Sequence, residues 1–337
     1  MDTQPHRIYV LAHTRSASHL FYQLLSQHPS TQATQPRFCG YAYCLGSDNQ
    51  APSASAEKWL DAFGVTEEEA SEISWQKTLD ELQQKVADAE SEGKHFLTMD
   101  HPYHLITSSS INSLMNLRRE TKPAPTITDR KLDLGGIRES ATADLAPHSN
   151  PTLLPDRFLF SFTPIIVIRH PARAIPSYLR AYRRIAPESS HPDFTVAAAF
   201  LPERLVFDAF KSFEESKALA EGRAARVPIV VDGDKLLQDS QGQMKKVCEA
   251  LGLDEGQISY TWDRPGLEEN TKVAEAFFGT INSSTGIFPA EKSAAPLDMQ
   301  EEVKTWAKEW DISTAQTLEE KVRAAMEDYE YLSQYSL

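Results

Sequence analysis

The chain has 337 residues, of which 41% are hydrophobic and 24% are charged. This is the composition of a globular protein, and it excludes a chain that is disordered throughout. Acidic residues outnumber basic residues by 48 to 34, which gives a net charge of −14. A nucleic-acid partner is not expected, because phosphate contacts need a basic surface, and a small anionic ligand needs a locally focused site.

Cysteine content and hydropathy indicate the cellular location of the protein. Cys39, Cys44 and Cys248 are too few for a disulfide framework, and no further Cys/His pair stands at zinc spacing. No stretch approaches the 18 apolar residues of a membrane span, and the first apolar run, 8–12, is too short for a signal peptide. We therefore expect reduced thiols, no metal site, no membrane partner and a cytoplasmic location.

Apolar periodicity predicts strands that alternate with helices. In chain order these are a strand (8–12), two helices (20–28, 77–92), two strands (95–99, 164–168), two helices (171–181, 194–221), a strand (227–231), a helix (240–251) and C-terminal helices (298–337). This alternation predicts an α/β fold with a central parallel sheet flanked by helices.

In two stretches the apolar residues follow no regular spacing. Residues 118–157 are expected to form a flexible or lid-like loop, and residues 256–297 are expected to be irregular. No linker divides the chain and no internal repeat is visible, so we expect one domain over 1–337 with helical insertions. The sequence leaves a homodimer open.

Ligands of open α/β sheets bind where strands end, and the segment after the first predicted strand is rich in donors. Backbone N–H groups and the dipole of the following helix attract an anion there, and Arg15, Ser16 and Ser18 add side-chain donors. A capped helix with a surface arginine is the alternative for this segment alone. The Gly-Lys-Ser/Thr of a Walker loop is absent, so ATP hydrolysis is not indicated.

A second donor pair follows the predicted strand 164–168. Arg169 closes that strand, and Ser177 lies eight residues further along the next helix, which Pro171 begins. The pair suits a phosphate, although an arginine that closes a buried salt bridge is the alternative. The two segments together indicate a phosphate-binding site more specifically than either segment does alone.

The two segments resemble motifs of the sulfotransferases that use 3′-phosphoadenosine 5′-phosphosulfate (PAPS). The phosphosulfate loop of that family is similar to Thr14–Leu20, with its basic position at Arg15, and its 3′-phosphate motif resembles Ile168–Tyr178. Residues 230–237 and 248–253 are similar to the family's next strand and helix. The resemblance is strongest to soluble bacterial and fungal branches and implies a P-loop-like sheet.

The resemblance also implies roles for individual residues. Arg15 would stabilise charge on the bridging oxygen of PAPS, and Arg169 and Ser177 would bind the 3′-phosphate. The backbone around the loop would bind the 5′-phosphate, at Arg15, Ser16, Ala17, Ser18 and His19. The product of the donor would be 3′-phosphoadenosine 5′-phosphate (PAP).

A general base must accept the proton of the acceptor. The family's Lys-x-His pattern falls on Met99-Asp100-His101, which makes His101 the candidate base, with Asp100 and His104 as alternatives. A structural role for His101, in which it caps the strand or orients the loop, is the other interpretation. The acceptor is expected to lie among aromatic side chains near this segment: Phe38, Tyr41, Tyr43 and Tyr103.

The chain departs from the family pattern at three places. Ala17 replaces a loop glycine, Met99 replaces the lysine before the candidate base, and the late Arg-Lys-Gly loop is absent. The nearest counterpart of that loop is 277–286, where Ser283, Ser284 and Thr285 offer hydroxyls. Lys292 offers charge beyond it, and an ordinary turn-rich loop is the alternative.

We therefore expect transfer of a sulfuryl group from PAPS to a hydroxyl or amine of a small, largely apolar molecule, for which secondary metabolism is a compatible context. One alternative is an enzyme of the same fold that has lost PAPS use and performs acid–base chemistry: elimination, cyclisation or hydrolysis. Another is a non-catalytic nucleotide-binding or scaffold protein.

Overall fold

Five parallel strands form the centre of the computed structural model, which describes residues 5–34, 38–130, 149–185, 192–263, 271–287 and 297–337. The strands are β1 (Arg7–Ala12), β2 (Thr31–Ala33), β3 (His95–Asp100), β4 (Thr163–Ile168) and β5 (Ile229–Asp232). Their order across the sheet is β2-β3-β1-β4-β5. The predicted parallel sheet is confirmed.

Helices flank this sheet. In chain order they are α1 (Ser18–Ser26), α2 (Phe38–Cys44), α3 (Ser53–Phe63), α4 (Glu67–Ser71), α5 (Trp75–Ser91), α6 (Ser108–Leu114), α7 (Asp156–Leu159), α8 (Pro171–Tyr182), α9 (Pro192–Ala197), α10 (Leu201–Glu221), α11 (Gly233–Gln238), α12 (Ser240–Leu251), α13 (Gly279–Asn282), α14 (Met299–Glu309) and α15 (Ile312–Ser333). In the described residues, no helix is both long enough and apolar enough to cross a bilayer.

The central strand β1 is buried on both faces, which explains its continuous apolar sequence. Ile8, Val10 and Ala12 pack into one hydrophobic core, whereas Tyr9 and Leu11 pack into the core on the other face. Neighbouring strands pair with it on both sides. The chain goes to β2 and β3 on one side and then to β4 and β5 on the other, so the loop after β1 lies where ligands of such sheets bind.

Several elements differ from the sequence prediction. The edge strand β2 has only three residues and was not predicted, and helices α2 and α3 were not predicted either. The predicted helix 194–221 is two helices, because the chain turns at 198–200 between α9 and α10.

The two stretches without a period also contain some regular structure. Residues 256–297 include a π-helical turn, Ala274–Phe278, and the short helix α13. In the stretch 118–157, residues 118–130 form neither helix nor strand, and α7 begins at Asp156. Residues 131–148, the middle of the predicted lid, lie outside the described residues.

Candidate active site

The loop between β1 and α1, residues 13–17, holds two non-glycine residues in left-handed backbone. The φ angle is 58° at Arg15 and 63° at Ala17. Each such residue costs about 1–2 kcal/mol, and strain of this kind persists at sites where the surrounding structure enforces it. Left-handed turns let successive backbone N–H groups form an anion-binding concavity. Ala17 therefore adopts the conformation for which a glycine is the usual residue.

The first turn of α1 has no side-chain cap. Ala17 is its N-cap residue and makes no capping hydrogen bond with its side chain. The first N–H groups of a helix have no partner within the helix, so an uncapped N-terminus attracts anions. Residues 17–20 of this helix start line a cavity of about 300 Å³, which we call the first cavity.

Hydrogen bonds hold the β1–α1 loop on its inner side. The hydroxyl of Ser16 donates to the carbonyl of His13 at 2.7 Å, and the hydroxyl of Thr14 donates to the carbonyl of Ala197 at 3.0 Å. The His13 ring stacks on Phe200 with ring centroids 3.8 Å apart. Burial lowers the pKa of His13 to about 4, so this ring is neutral at pH 7 and fits its apolar surroundings.

Gly233, the first residue after β5, packs directly against this loop. A Cβ atom at Gly233 would lie 2.0 Å from the carbonyl oxygen of Ser16 and 3.3 Å from that of Ile168. Both atoms belong to the backbone and cannot rotate away. The loop after β1, the end of β4 and the end of β5 therefore meet where only a glycine fits.

Replacement of Gly233 by alanine is expected to lower the free energy of unfolding by about 1–3 kcal/mol, because the backbone of Ser16 must shift to make room. The same shift should weaken anion binding at the loop. Thermal or urea unfolding measures the first effect. Gly279→Ala is the matched control: its added Cβ would have nothing within 4 Å, and its backbone is helical with φ −50°. Equal stability of both variants would contradict the packing role of Gly233.

Arg15, from the first donor segment, contacts Ser177 of the second. Its Nε donates to the hydroxyl oxygen of Ser177 at 3.1 Å, and its NH1 donates to the carbonyl of Phe277 at 2.7 Å. Arg15 and Ser177 are 162 residues apart in sequence. The loop after β1 and the helix after β4 thus meet at one place.

The first cavity contains most of the predicted nucleotide-binding residues. Arg15, Ala17, Ser18, His19, Arg169 and Ser177 all line it, and Phe277, Thr280 and Ile281 form part of its opposite wall. Ser16 is fully buried, and its hydroxyl points inward to His13. Two arginines at one cavity create a local positive field in a chain whose net charge is −14.

Arg169 also takes part in an ion pair. Its Nε lies 2.9 Å from a carboxylate oxygen of Asp234, and Arg173 lies 3.4 Å from the same oxygen. The salt bridge that the sequence left open as the alternative is therefore present. Because Arg169 lines the cavity as well, the carboxylate fixes the arginine at the cavity wall and partly neutralises it.

His101 lies directly beside the start of the β1–α1 loop. Its Nδ1 is 2.6 Å from the carbonyl oxygen of Ala12, and the side chain is 2% exposed. A carbonyl can only accept, so Nδ1 carries the proton and the neutral ring has its lone pair on Nε2. This tautomer is the one a general base needs if Nε2 is the accepting atom.

Asp100 is fully buried and holds the N-terminus of α2. One carboxylate oxygen accepts from the backbone N–H groups of Cys39 and Gly40, at 3.0 and 3.1 Å, and the other accepts from the Tyr9 hydroxyl at 3.0 Å. Burial raises the pKa of Asp100 to about 7. These contacts indicate a structural role for Asp100. His101, in contrast, contacts the carbonyl of Ala12, the residue before the β1–α1 loop.

An aromatic cluster surrounds His101. Its ring is parallel to Tyr103 at 5.9 Å and edge-on to His104 at 5.3 Å, and Tyr43 is edge-on to Tyr103 at 5.6 Å. Tyr41 and Tyr103 are half-buried, and Tyr43 is buried. Tyr43 belongs to one hydrophobic core, and Tyr41 and Tyr103 pack against the same core. The side chain of Phe38 lies outside the described part.

The stretch 277–286 contacts the β1–α1 loop, since NH1 of Arg15 donates to the Phe277 carbonyl and the rings of His19 and Phe278 lie 4.5 Å apart. Phe277 and Ser284 line the first cavity. The hydroxyls of Ser283 and Ser284 donate to carbonyls of their own turn, Thr280 and Ile281. Lys292 lies outside the described residues. The sequence analysis did not identify two further features of the site. One is the backbone carbonyl of Phe277, which accepts from Arg15 and has no sequence pattern. The other is Gly233, which follows an apolar strand and packs against Ser16.

Comparisons with known proteins identify the family of this chain. A model of the sulfotransferase family matches residues 5–256. The sulfotransferase ppzF of Metarhizium majus (strain ARSEF 297) is 26% identical over 345 residues, which cover 98% of this chain and 96% of the relative. The protein of the same name from Metarhizium rileyi (strain RCEF 4871) is 26% identical over 341 residues, which cover 98% and 95%.

Among solved structures, the sulfotransferase domain from the curacin biosynthetic pathway aligns with a TM-score of 0.39 and 12% identity, over 90% of this chain and 98% of that one. The family match carries the assignment, since it spans well over half of the 337 residues. The chain therefore belongs to the sulfotransferase family.

Proposed function

We propose that this protein transfers a sulfuryl group from PAPS to a hydroxyl or amine of a small, largely apolar acceptor and releases PAP. One observation carries the proposal: Arg15, Arg169 and Ser177, from two distant segments, line a single cavity at the uncapped start of α1. A nucleotide with phosphate groups at both its 5′ and 3′ positions needs separated donors of this kind.

The residues at the first cavity fit such a nucleotide. Its volume of about 300 Å³ is in the range of small-molecule sites, and its wall combines arginines with apolar side chains such as Phe277 and Ile281. The backbone at 16–19 and the guanidinium of Arg15 suit a 5′-phosphosulfate, and Arg169 and Ser177 suit a 3′-phosphate. Bound PAPS would supply the activated sulfuryl group.

Arg15 has the properties of the group that stabilises the leaving phosphate. Ser177 and the Phe277 carbonyl hold its guanidinium in place, so little reorganisation is needed when charge develops. A guanidinium offers five N–H donors in a rigid fork, which allows it to be held by neighbours and to donate to an anion as well.

His101 is the proposed general base. The Ala12 carbonyl fixes its Nδ1–H tautomer, so that Nε2 is the atom able to accept the proton of an acceptor hydroxyl or amine. Tyr43 and Tyr103, beside His101, are the proposed aromatic wall for an apolar acceptor. The same wall would exclude water from the proton transfer.

Donor-dependent turnover tests the proposal. The purified protein is incubated with PAPS and a panel of phenols, alcohols and amines, and sulfated products and PAP are measured by mass spectrometry. We expect sulfation of at least one acceptor class, together with micromolar binding of PAP. A folded protein that binds neither PAP nor PAPS would contradict the proposal. Turnover of acceptors without PAPS would instead identify the acid–base alternative.

A further inference from the structure

A second cavity lies on the far side of the Arg15–Ser177 contact. Its volume is about 430 Å³, and Arg15, Ser177, Phe277 and Thr280 line both cavities. The two cavities are therefore adjacent, and the contact between Arg15 and Ser177 lies in the wall between them. Ser177, which the proposed nucleotide contacts, lines both cavities.

Among the described residues, three arginines line the second cavity, whereas two line the first. Arg180 and Arg184 line it together with Arg15, against one carboxylate, Glu275, among the described lining residues. Ser177, Arg180 and Arg184 are spaced by three and four residues, so they share one face of α8 and the turn that follows it. The sequence lacks the family's Arg-Lys-Gly loop, and this face of α8 supplies positive charge at the second cavity.

The two arginines are held differently. Arg180 makes two 2.6 Å contacts with the carboxylate of Glu309 and lies over the ring of Trp310, 5.2 Å from its centroid. Glu309 therefore neutralises much of the charge of Arg180. Arg184 donates to the backbone carbonyl of Glu275 at 3.2 Å, and a carbonyl carries no net charge. Arg184 is thus the larger contributor of positive charge to the cavity.

We propose that Arg184, supported by Arg180, binds the 3′-phosphate of the nucleotide from the second cavity. This inference rests on the proposed function. It adds α8 and the turn that follows it to the segments that bind the 3′-phosphate. Ser177 then donates to the 3′-phosphate from between the two cavities, and Arg169, which Asp234 partly neutralises, contributes less.

Comparison of PAP with adenosine 5′-monophosphate (AMP) tests the inference, because AMP lacks only the 3′-phosphate. Isothermal titration is carried out on the full chain and on Arg184→Ala, Arg184→Lys and Arg323→Ala. Arg323 is an exposed arginine on α15, 71% accessible, and serves as the charge-matched control. We expect the unaltered protein to bind PAP at least about tenfold more tightly than AMP.

Arg184→Ala should remove about tenfold or more of this preference and leave AMP affinity unchanged, and Arg184→Lys should restore part of it, since lysine keeps the charge but not the fork. Arg323→Ala should change neither affinity. A PAP-to-AMP ratio that is unaltered in Arg184→Ala, or an equal loss for both ligands, would overturn the inference while the proposed function stands. Failure of the unaltered protein to bind PAP would overturn both.

Discussion

Replacement of Arg15 by alanine is expected to lower kcat for sulfuryl transfer by about 10²–10³-fold, because one preorganised donor to the developing charge is lost. PAP affinity should fall as well, since Arg15 lines the nucleotide cavity. Steady-state kinetics with PAPS and the best acceptor measure the first effect, and titration with PAP measures the second.

Two further variants identify the cause of that loss. Arg15→Lys keeps the positive charge but replaces the planar guanidinium, whose Nε and NH1 donate to Ser177 and Phe277, with a single ammonium group, so its kcat should lie between those of the unaltered protein and Arg15→Ala. Arg323→Ala, at the exposed surface, should have unaltered kinetics. A kcat in Arg15→Ala within threefold of the unaltered value, about 0.7 kcal/mol, would remove Arg15 from the reaction.

Replacement of His101 by asparagine is expected to lower kcat by about 10²–10⁴-fold with little change in PAP affinity. The amide of asparagine can still donate to the Ala12 carbonyl, as Nδ1 does, but it provides no base at the position of Nε2. The variant therefore separates proton transfer from the structural hydrogen bond. The measurement pairs kcat with thermal unfolding, which should be close to that of the unaltered protein.

His101→Ala removes the hydrogen bond as well as the base, so it should lose both activity and stability. His104→Asn is the comparison within the same aromatic cluster, and it should retain most of the activity. Substantial turnover in His101→Asn, combined with loss of turnover in His104→Asn, would transfer the base role to His104.

Sequence patterns were sufficient to predict four of the five strands and the proximity of the two donor segments. Parallel strands end at a common edge, so the residues after β1 and β4 had to be neighbours, and Arg15 indeed contacts Ser177. The continuous apolar runs of β1 and β4 reflect burial on both faces. The strand β2 has one buried residue out of three, so it leaves no comparable pattern.

Contacts between distant segments could not be predicted from sequence. Asp100 had the sequence position of a candidate catalytic group, but its carboxylate accepts from backbone N–H groups of α2 some 60 residues earlier. Gly233 is one of 14 glycines in the chain, and only the approach of the Ser16 carbonyl distinguishes it. Arg184 follows the end of a helix, and the cavity beside it exists only because 275–283 folds over that helix.

A crystal structure of the protein with PAP would test the central claim most directly. We expect the 5′-phosphate within about 2.7–3.2 Å of backbone N–H groups at 16–19 and of the Arg15 guanidinium, and the 3′-phosphate on the side of Ser177. Electron density for PAP away from the start of α1, or contact with neither Arg15 nor Arg169, would contradict the account.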